Sequence, residues 1–243
     1  MSSQNIQDLM GEVAQEGGLS GRVAAQLTNA STVAQIQKGA GVTPETYKES
    51  EVLIVTVLVD DSGSIFQRNG SNPPNALLVR EGQKAIVDAL KATKKRARIV
   101  MGVHYLNGEV LCPYVYLDQV PMMDEHNFVD GGKTPLFDQT FVTIGGVMAK
   151  VKEFEDAGIS VQSWTLVVTA GAAYGSVRSK PKDVAELVGT LNSEAHQVLA
   201  MGVEDGSTDF RAVFASMGIA SDQILKCEND PKAIRRTFRL ASQ

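Results

Sequence analysis

In the stretch "LIVTVLVDDSGSI", Leu53 to Ile65, an unbroken apolar run stops at Asp60-Asp61-Ser62-Gly63-Ser64. Asp60, Ser62 and Ser64 alternate along the chain, so a loop leaving a strand can aim three oxygens at one centre. Carboxylate, hydroxyl and water oxygens in octahedral array suit a hard divalent cation, Mg²⁺ first, with Mn²⁺ or Ca²⁺ also accommodated. The same residue types cap helices and make Asx turns. The local sequence does not separate the two readings.

Other chemistries fit less well. A nucleophilic aspartate of a phosphotransfer enzyme wants a second carboxylate two residues later, and here that position is Ser62. A phosphate-accepting domain would carry its aspartate after a later strand, where "VVTAG" offers none. A serine hydrolase would show Gly-x-Ser-x-Gly with a histidine partner. That pentapeptide is absent, and His104, His126 and His196 show no triad arrangement. Cys112 and Cys227 lie far apart without metal-ligand spacing, so buried free thiols are expected rather than a disulfide framework or zinc ribbon.

The elements that must position the cluster follow from periodicity. "VLIVTVLV" is a β-branched run without polar alternation, the mark of a strand covered on both faces. "ALLVREGQKAIVDALKAT" is helical, with Leu78, Ala85, Val87 and Leu90 along one stripe. "ARIVMGVHYL" is a second strand, and Asn107-Gly108 turns "NGEVLCPYVYL" back antiparallel to it. A long helix is entered through Thr134-Pro135, with proline suited to the first turn. "WTLVVTA", "HQVLAMGV" and "DQILKC" are further strands, separated by helices in "PKDVAELVGTLNS" and "TDFRAVFASMG"; "DPKAIRRTFRLAS" is a closing helix. This alternation predicts an α/β fold with an open, mostly parallel doubly wound sheet, one antiparallel edge strand and helices on both faces. Ligands collect at the carboxyl ends of such strands where the order reverses, and Asp60 lies at one such end.

Residues 1–48 differ in texture, being rich in Gln, Gly, Ala, Ser and Thr. Ile6, Leu9, Met10 and Val13 share one helical face, and Val23, Leu27 and Ile36 another, but both faces are thin. The segment is expected to be a weakly helical or partly disordered tail that packs on the main domain or docks a partner, with "VTPETYKESE" as a linker.

The pattern from about Glu51 onward resembles a von Willebrand factor A domain, also called integrin I-like, and the resemblance implies that residues 49–243 form a Rossmann-like domain of that type. In that family a metal-ion-dependent adhesion site is built from a D-x-S-x-S loop, a later Thr, and an Asp after the fourth strand. Asp60, Ser62 and Ser64 match the first element, and Thr134 in "GGKTPLFD" matches the second. The third departs: where the family reads Thr-Asp-Gly, this chain has Thr169-Ala170-Gly171, and alanine offers no oxygen. Loss of such an outer carboxylate typically lowers metal affinity about 10- to 100-fold. The resemblance therefore implies a metal site of Asp60, Ser62, Ser64 and Thr134 in which Mg²⁺ is held weakly or not at all. Asp61, Asp130 and Asp138 are candidate helpers, Asp138 as an orienter of the loop and Asp61 facing away. A natural loss and an engineered Asp-to-Ala change both account for Ala170, the otherwise family-like flanks favouring the second.

Hydrophobic residues at 43% and charged residues at 21% exclude wholesale disorder. A net charge of −5 gives no global field toward nucleic acid or anionic lipid. The run Lys94, Lys95, Arg96 and Arg98 is expected at a helix end. No secretory signal or spanning run is read, so a cytoplasmic location is the expectation. Arg235, Arg236 and Arg239 are expected on an exposed helix face, His104 packed in a strand, and Trp164 at the start of one. The resemblance implies a non-enzymatic, bacterial cytoplasmic interaction domain of the stand-alone or tellurium-resistance-related kind. Its partner would present Asp or Glu to the metal, an ATPase, kinase or phosphatase of the same system being the family association. The alternatives are a metal-assisted phosphatase-type enzyme and a scaffold whose N-terminal tail carries the interaction.

Overall fold

The computed structural model describes residues 3–67, 74–171, 173–203 and 207–227. In chain order the elements are α1 (Ser3–Glu16), α2 (Gly21–Leu27), α3 (Ala30–Lys38), β1 (Glu51–Val59), α4 (Gly63–Phe66), α5 (Asn75–Lys91), β2 (Ile99–Tyr105), β3 (Val110–Tyr116), α6 (Leu136–Asp156), β4 (Ser160–Thr169), α7 (Pro181–Leu191), β5 (His196–Val203), α8 (Phe210–Ser216) and β6 (Ile224–Cys227). The apolar run of β1 is central in a six-stranded sheet of order β3-β2-β1-β4-β5-β6. All neighbours are parallel except β3, which returns antiparallel beside β2. The fold is thus the open, mostly parallel α/β sheet with one antiparallel edge strand that the alternation predicts.

β1 is buried on both faces because it feeds two cores. Val52, Ile54 and Leu58 pack with α6 and α7, while Val55, Val57 and Val59 pack with α5. Two faces of apolar contact remove the polar alternation that a half-exposed strand would show. The Asn107-Gly108 hairpin forms as expected: Gly108 N–H donates to Tyr105 O at 3.0 Å, and Gly108 has φ +89°, a conformation glycine adopts without a Cβ clash.

The N-terminal segment is more structured than its thin apolar faces suggest. α1, α2 and α3 pool those faces, burying Ile6, Leu9, Met10, Val13, Val23, Leu27, Val33 and Ile36 in the same core as α6. Each helix alone offers too little apolar area, but three together cover the outer side of α6. The chain then runs along the antiparallel edge of the sheet, where Tyr114 N–H donates to Gly39 O at 3.1 Å and Val42 N–H to Tyr114 O at 2.7 Å. The stretch read as a linker is anchored as well: buried Tyr47 places its hydroxyl 2.7 Å from Glu51 O and 3.0 Å from Arg98 O.

Two placements differ from expectation. The basic run does not end a helix, because α5 stops at Lys91 and Arg96–Arg98 form a separate 3-10 turn. Thr93 Oγ1 donates back to Leu90 O at 2.8 Å and closes the preceding turn. Trp164 lies within β4 rather than at its start, since pairing with β1 extends back to Glu51 opposite Ser160. The expected closing helix with Arg235, Arg236 and Arg239 lies outside the described residues, as do Glu204, Asp205 and Gly206 of the loop after β5.

Candidate divalent-cation site at the carboxyl ends of β1 and β4

The strand order reverses at β1, which has β2 on one side and β4 on the other, so the crevice beyond these carboxyl ends is the expected ligand position. Val59 pairs with Val168, which sets Asp60 beside Thr169 and Ala170. Asp60 is fully buried. Its Oδ1 accepts the Ser62 N–H at 2.9 Å, and its Oδ2 accepts the Thr169 hydroxyl at 2.6 Å and the Ala170 N–H at 3.0 Å. The carboxylate is therefore fixed by three donors, which satisfies a buried anion that would otherwise be costly.

From Asp60 the chain turns into the short α4, with Ser62 at its N-cap position making no side-chain cap bond. The Ser62 hydroxyl instead lies 3.1 Å from that of Ser64. Ser62 is buried and Ser64 exposed, so the pair opens toward solvent. A second loop closes on the first: Ser62 bridges Gly132, and Gly63 N–H donates to Gly132 O at 3.3 Å. Two residues on, Thr134 is buried, and its carbonyl accepts the Tyr174 N–H at 2.9 Å, bringing the loop after β4 alongside. The Thr134 hydroxyl makes no hydrogen bond among the described residues. The sequence-selected residues thus gather from three loops: Asp60 touches Ser62 and Ala170 directly, Ser62 touches Ser64, and Thr134 is tied in through backbone neighbours.

The three helper carboxylates take different places. Asp138 is buried and accepts N–H groups of Val177, Arg178 and Ser179 at 2.9, 3.0 and 2.6 Å, while Ser176 Oγ accepts Phe137 N–H at 3.0 Å. This reciprocal clamp fixes the 176–179 loop to the start of α6. Asp130 is exposed and accepts Gly132 N–H at 2.8 Å. It leans over Gly63, where a Cβ would stand 3.1 Å from its Oδ2. Asp61 turns from Asp60 toward the β2–β3 hairpin, its Oδ1 accepting Asn107 N–H at 3.0 Å. Asp61 Oδ2 is buried without a partner, and burial pushes the carboxyl up to about 6, aided by the charges of Asp60 and Asp130.

The donor set fits a hard cation. Adjacent ligands about 2.1 Å from an octahedral Mg²⁺ stand about 3.0 Å apart, close to the observed spacing of the two serine hydroxyls. Asp60 Oδ1 carries one hydrogen bond and keeps a free acceptor position, whereas Oδ2 carries two and is saturated. Among the described residues no three Asp, Glu, His or Cys side chains converge on one point, so any cation here relies on hydroxyls. Ala170 is 1% exposed and adds only its backbone N–H.

Thr169 is the site residue that sequence reasoning passed over, although a threonine ending an apolar strand next to the crevice is a visible signal. The histidines are elsewhere. His196 stands at the amino end of β5 with Nδ1 3.0 Å from Ser163 Oγ, and His126 forms part of an exposed loop. His104 Nε2 is buried without a partner, and burial lowers the ring to about 4. Cys112 is a buried free thiol, pushed up to about 11 by burial. Among the described residues no helix is long and apolar enough to cross a membrane.

No family model matches the chain, and no curated protein matches it. Solved structures do. The PilB minor pilin from Streptococcus sanguinis superposes with a TM-score of 0.54 at 11% identity over 80% of this chain and 61% of that one. The pilus adhesin SpaC from Lactobacillus rhamnosus GG superposes with a TM-score of 0.56 at 11% identity, over 80% of this chain and 30% of that one. The SpRpn10 VWA domain gives a TM-score of 0.48 at 12% identity, covering 76% of this chain and 93% of that one, too loose a superposition to carry weight. The chain spans under two thirds of PilB and under one third of SpaC, and at these identities what it shares with them is the fold.

Proposed function

We propose that this chain is a non-enzymatic protein-interaction domain of the von Willebrand factor A type. Its crevice at the ends of β1 and β4 takes a divalent cation, Mg²⁺ in the first instance, and through it the carboxylate of a protein partner. Ser62, Ser64 and Thr134 would hold the cation through hydroxyl oxygens, with Asp60 as the fixed anion beside them. When bound, the cation supplies a Lewis-acidic position that an Asp or Glu of the partner can occupy. The observation that carries this reading is the pair of serine hydroxyls 3.1 Å apart beside a carboxylate immobilised by Thr169 and Ala170. A helix cap would leave the hydroxyls on α4's own N–H groups, and Ser62 makes no such bond.

With Ala170 in place the cation would be held weakly, because Asp60 is the single matched carboxylate. Ala170→Asp would put a second carboxylate beside Asp60 in a buried position. In chelator the variant is expected to melt below the parent, since two close carboxylates repel. In saturating Mg²⁺ it is expected to gain about 1.4–2.7 kcal/mol more than the parent, the equivalent of a 10- to 100-fold affinity difference. For a chain of this size that is about 3–10 °C in melting temperature. Equal metal-induced shifts for the two proteins in differential scanning fluorimetry would sink the proposal. The same pair of proteins, used to capture an Asp- or Glu-bearing partner with Mg²⁺ and with chelator, tests the docking step.

A further inference from the structure

The end of the sheet remote from Asp60 carries a second cleft, of about 440 Å³, between the last turn of α5 and the amino ends of β1 and β4. Its strand residues, from Trp164 opposite Val55 to Glu51, lie about 13–26 Å from the β1 carboxyl end, at ~3.3 Å per strand residue. Its origin is geometric: α5 ends at Lys91, with Leu90 against Val55 and Trp164, and the first residues of β4 beyond it, Ser160 and Gln162, stay exposed. Ser160, Gln162 and Trp164 alternate onto this face, and Trp164 packs beside the apolar cluster under α5. Leu90 supplies the opposite apolar wall.

The rim is basic. Lys94 and Lys95 sit in the turn after α5, exposed, and their ammonium groups have no salt-bridge or hydrogen-bond partner among the described residues. Arg98, by contrast, is committed to Glu51, with Glu49 at 3.9 Å. The Trp164 indole N–H has no protein acceptor among the described residues. A cleft of this volume has the dimensions of a small-molecule site, and its lining is mixed, with Leu90 and Trp164 as apolar contacts among polar and charged side chains.

We propose that this cleft binds a small planar organic anion. Its apolar body would lie against Trp164 and Leu90, with its acid group held by the ammonium groups of Lys94 and Lys95. A neutral molecule would leave both ammonium groups unused, and a bare inorganic anion would leave the apolar walls wet. The site is independent of the cation crevice and of any metal.

Trp164 is the single tryptophan of the chain, so its indole N–H gives one cross-peak in the tryptophan side-chain region of a ¹H–¹⁵N spectrum. The full chain would be titrated with 4-nitrobenzoate and 4-nitrophenyl phosphate as carboxylate and phosphate probes, 4-nitrobenzyl alcohol as the neutral analogue, and inorganic phosphate as the bare anion. A saturable shift of this peak by either aromatic anion is expected, the tighter of the two naming the acid group. The alcohol and inorganic phosphate should bind at least about tenfold more weakly. The double variant Lys94→Ala/Lys95→Ala should weaken the aromatic anions about tenfold and leave the alcohol unchanged, the rest of its spectrum reporting an intact fold. No saturable shift by either aromatic anion, equal binding of the alcohol, or undiminished anion binding by the double variant would each overturn the assignment.

Discussion

Asp61 shares a loop with Asp60 but not its solvation. Asp60 receives three hydrogen bonds, while Asp61 receives one from Asn107 and leaves Oδ2 buried without a partner. Burial disfavours its ionised form and raises its pKa from 3.8 to about 6. The folded protein thus binds a proton more tightly than the unfolded chain. The resulting stability is complete below pH about 4 and is lost as pH rises through about 6. Asp61→Asn removes the titration. In chelator, urea unfolding should show the variant gaining on the parent by about 2 kcal/mol between pH 4.5 and 7.5 for a two-unit shift. A stability difference that stays flat with pH would show that Asp61 is not perturbed. The alternation of Asp60, Ser62 and Ser64 was legible in the sequence because all three belong to one loop. The roles of Thr169 and Asp61 were not, because they depend on the register of β4 against β1 and on the approach of the β2–β3 hairpin.

At the level of elements, one buried cation ties the N-terminal segment to α6 beside its backbone pairing with β3. Lys150, in the middle of α6 and 2% exposed, donates to Val42 O at 2.9 Å and Glu153 Oε2 at 2.7 Å. Its ammonium also stands 5.6 Å from the Tyr114 ring centre and 5.8 Å from that of Phe154. Burial lowers its pKa, and Glu153 works against that shift. Lys150→Met keeps most of the volume but leaves the partly buried Glu153 without its counter-ion and Val42 O without its donor. Breaking a buried pair from one side costs about 3–5 kcal/mol, whereas replacing both partners with apolar groups is often neutral. Chemical denaturation should therefore show a loss of that size for Lys150→Met and recovery of most of it in Lys150→Met/Glu153→Leu; a single variant as stable as the parent would mean the pair contributes nothing. Nothing in periodicity announced this join. The strands were legible because each is a continuous apolar run answering to the whole sheet, but the pairing of residues 39–42 with β3 uses backbone groups alone. Gly41 shows why it is specific: φ is +56°, and a Cβ there would stand 2.0 Å from Tyr114 O.

For the whole molecule, the decisive question is whether α1, α2 and α3 are an appendage or part of the body. Eight apolar side chains from these helices are buried in the core shared with α6. Each would regain water contact on removal, a gross cost of about 1.5–3 kcal/mol per side chain. The entropy recovered by freeing the segment offsets much of this total, at about 1–2 kcal/mol per residue. What the offset cannot repair is the outer side of α6, which the truncated protein would expose with no substitute cover. Salt bridges at the surface add little, although Lys152 reaches both Glu12 at 3.4 Å and Glu16 at 3.2 Å. A chain lacking residues 1–38 is accordingly expected to unfold at least about 10 °C lower or to lose its cooperative transition, in keeping with a loss of several kcal/mol in a domain of this size. Near-ultraviolet circular dichroism and scanning calorimetry read the two outcomes. A truncated chain melting within a few degrees of the parent would make the helices dispensable to the fold and free to serve a partner instead. If the fold fails, loss of partner capture on truncation says nothing about a docking tail, and Asp60→Ala in the full chain becomes the informative comparison.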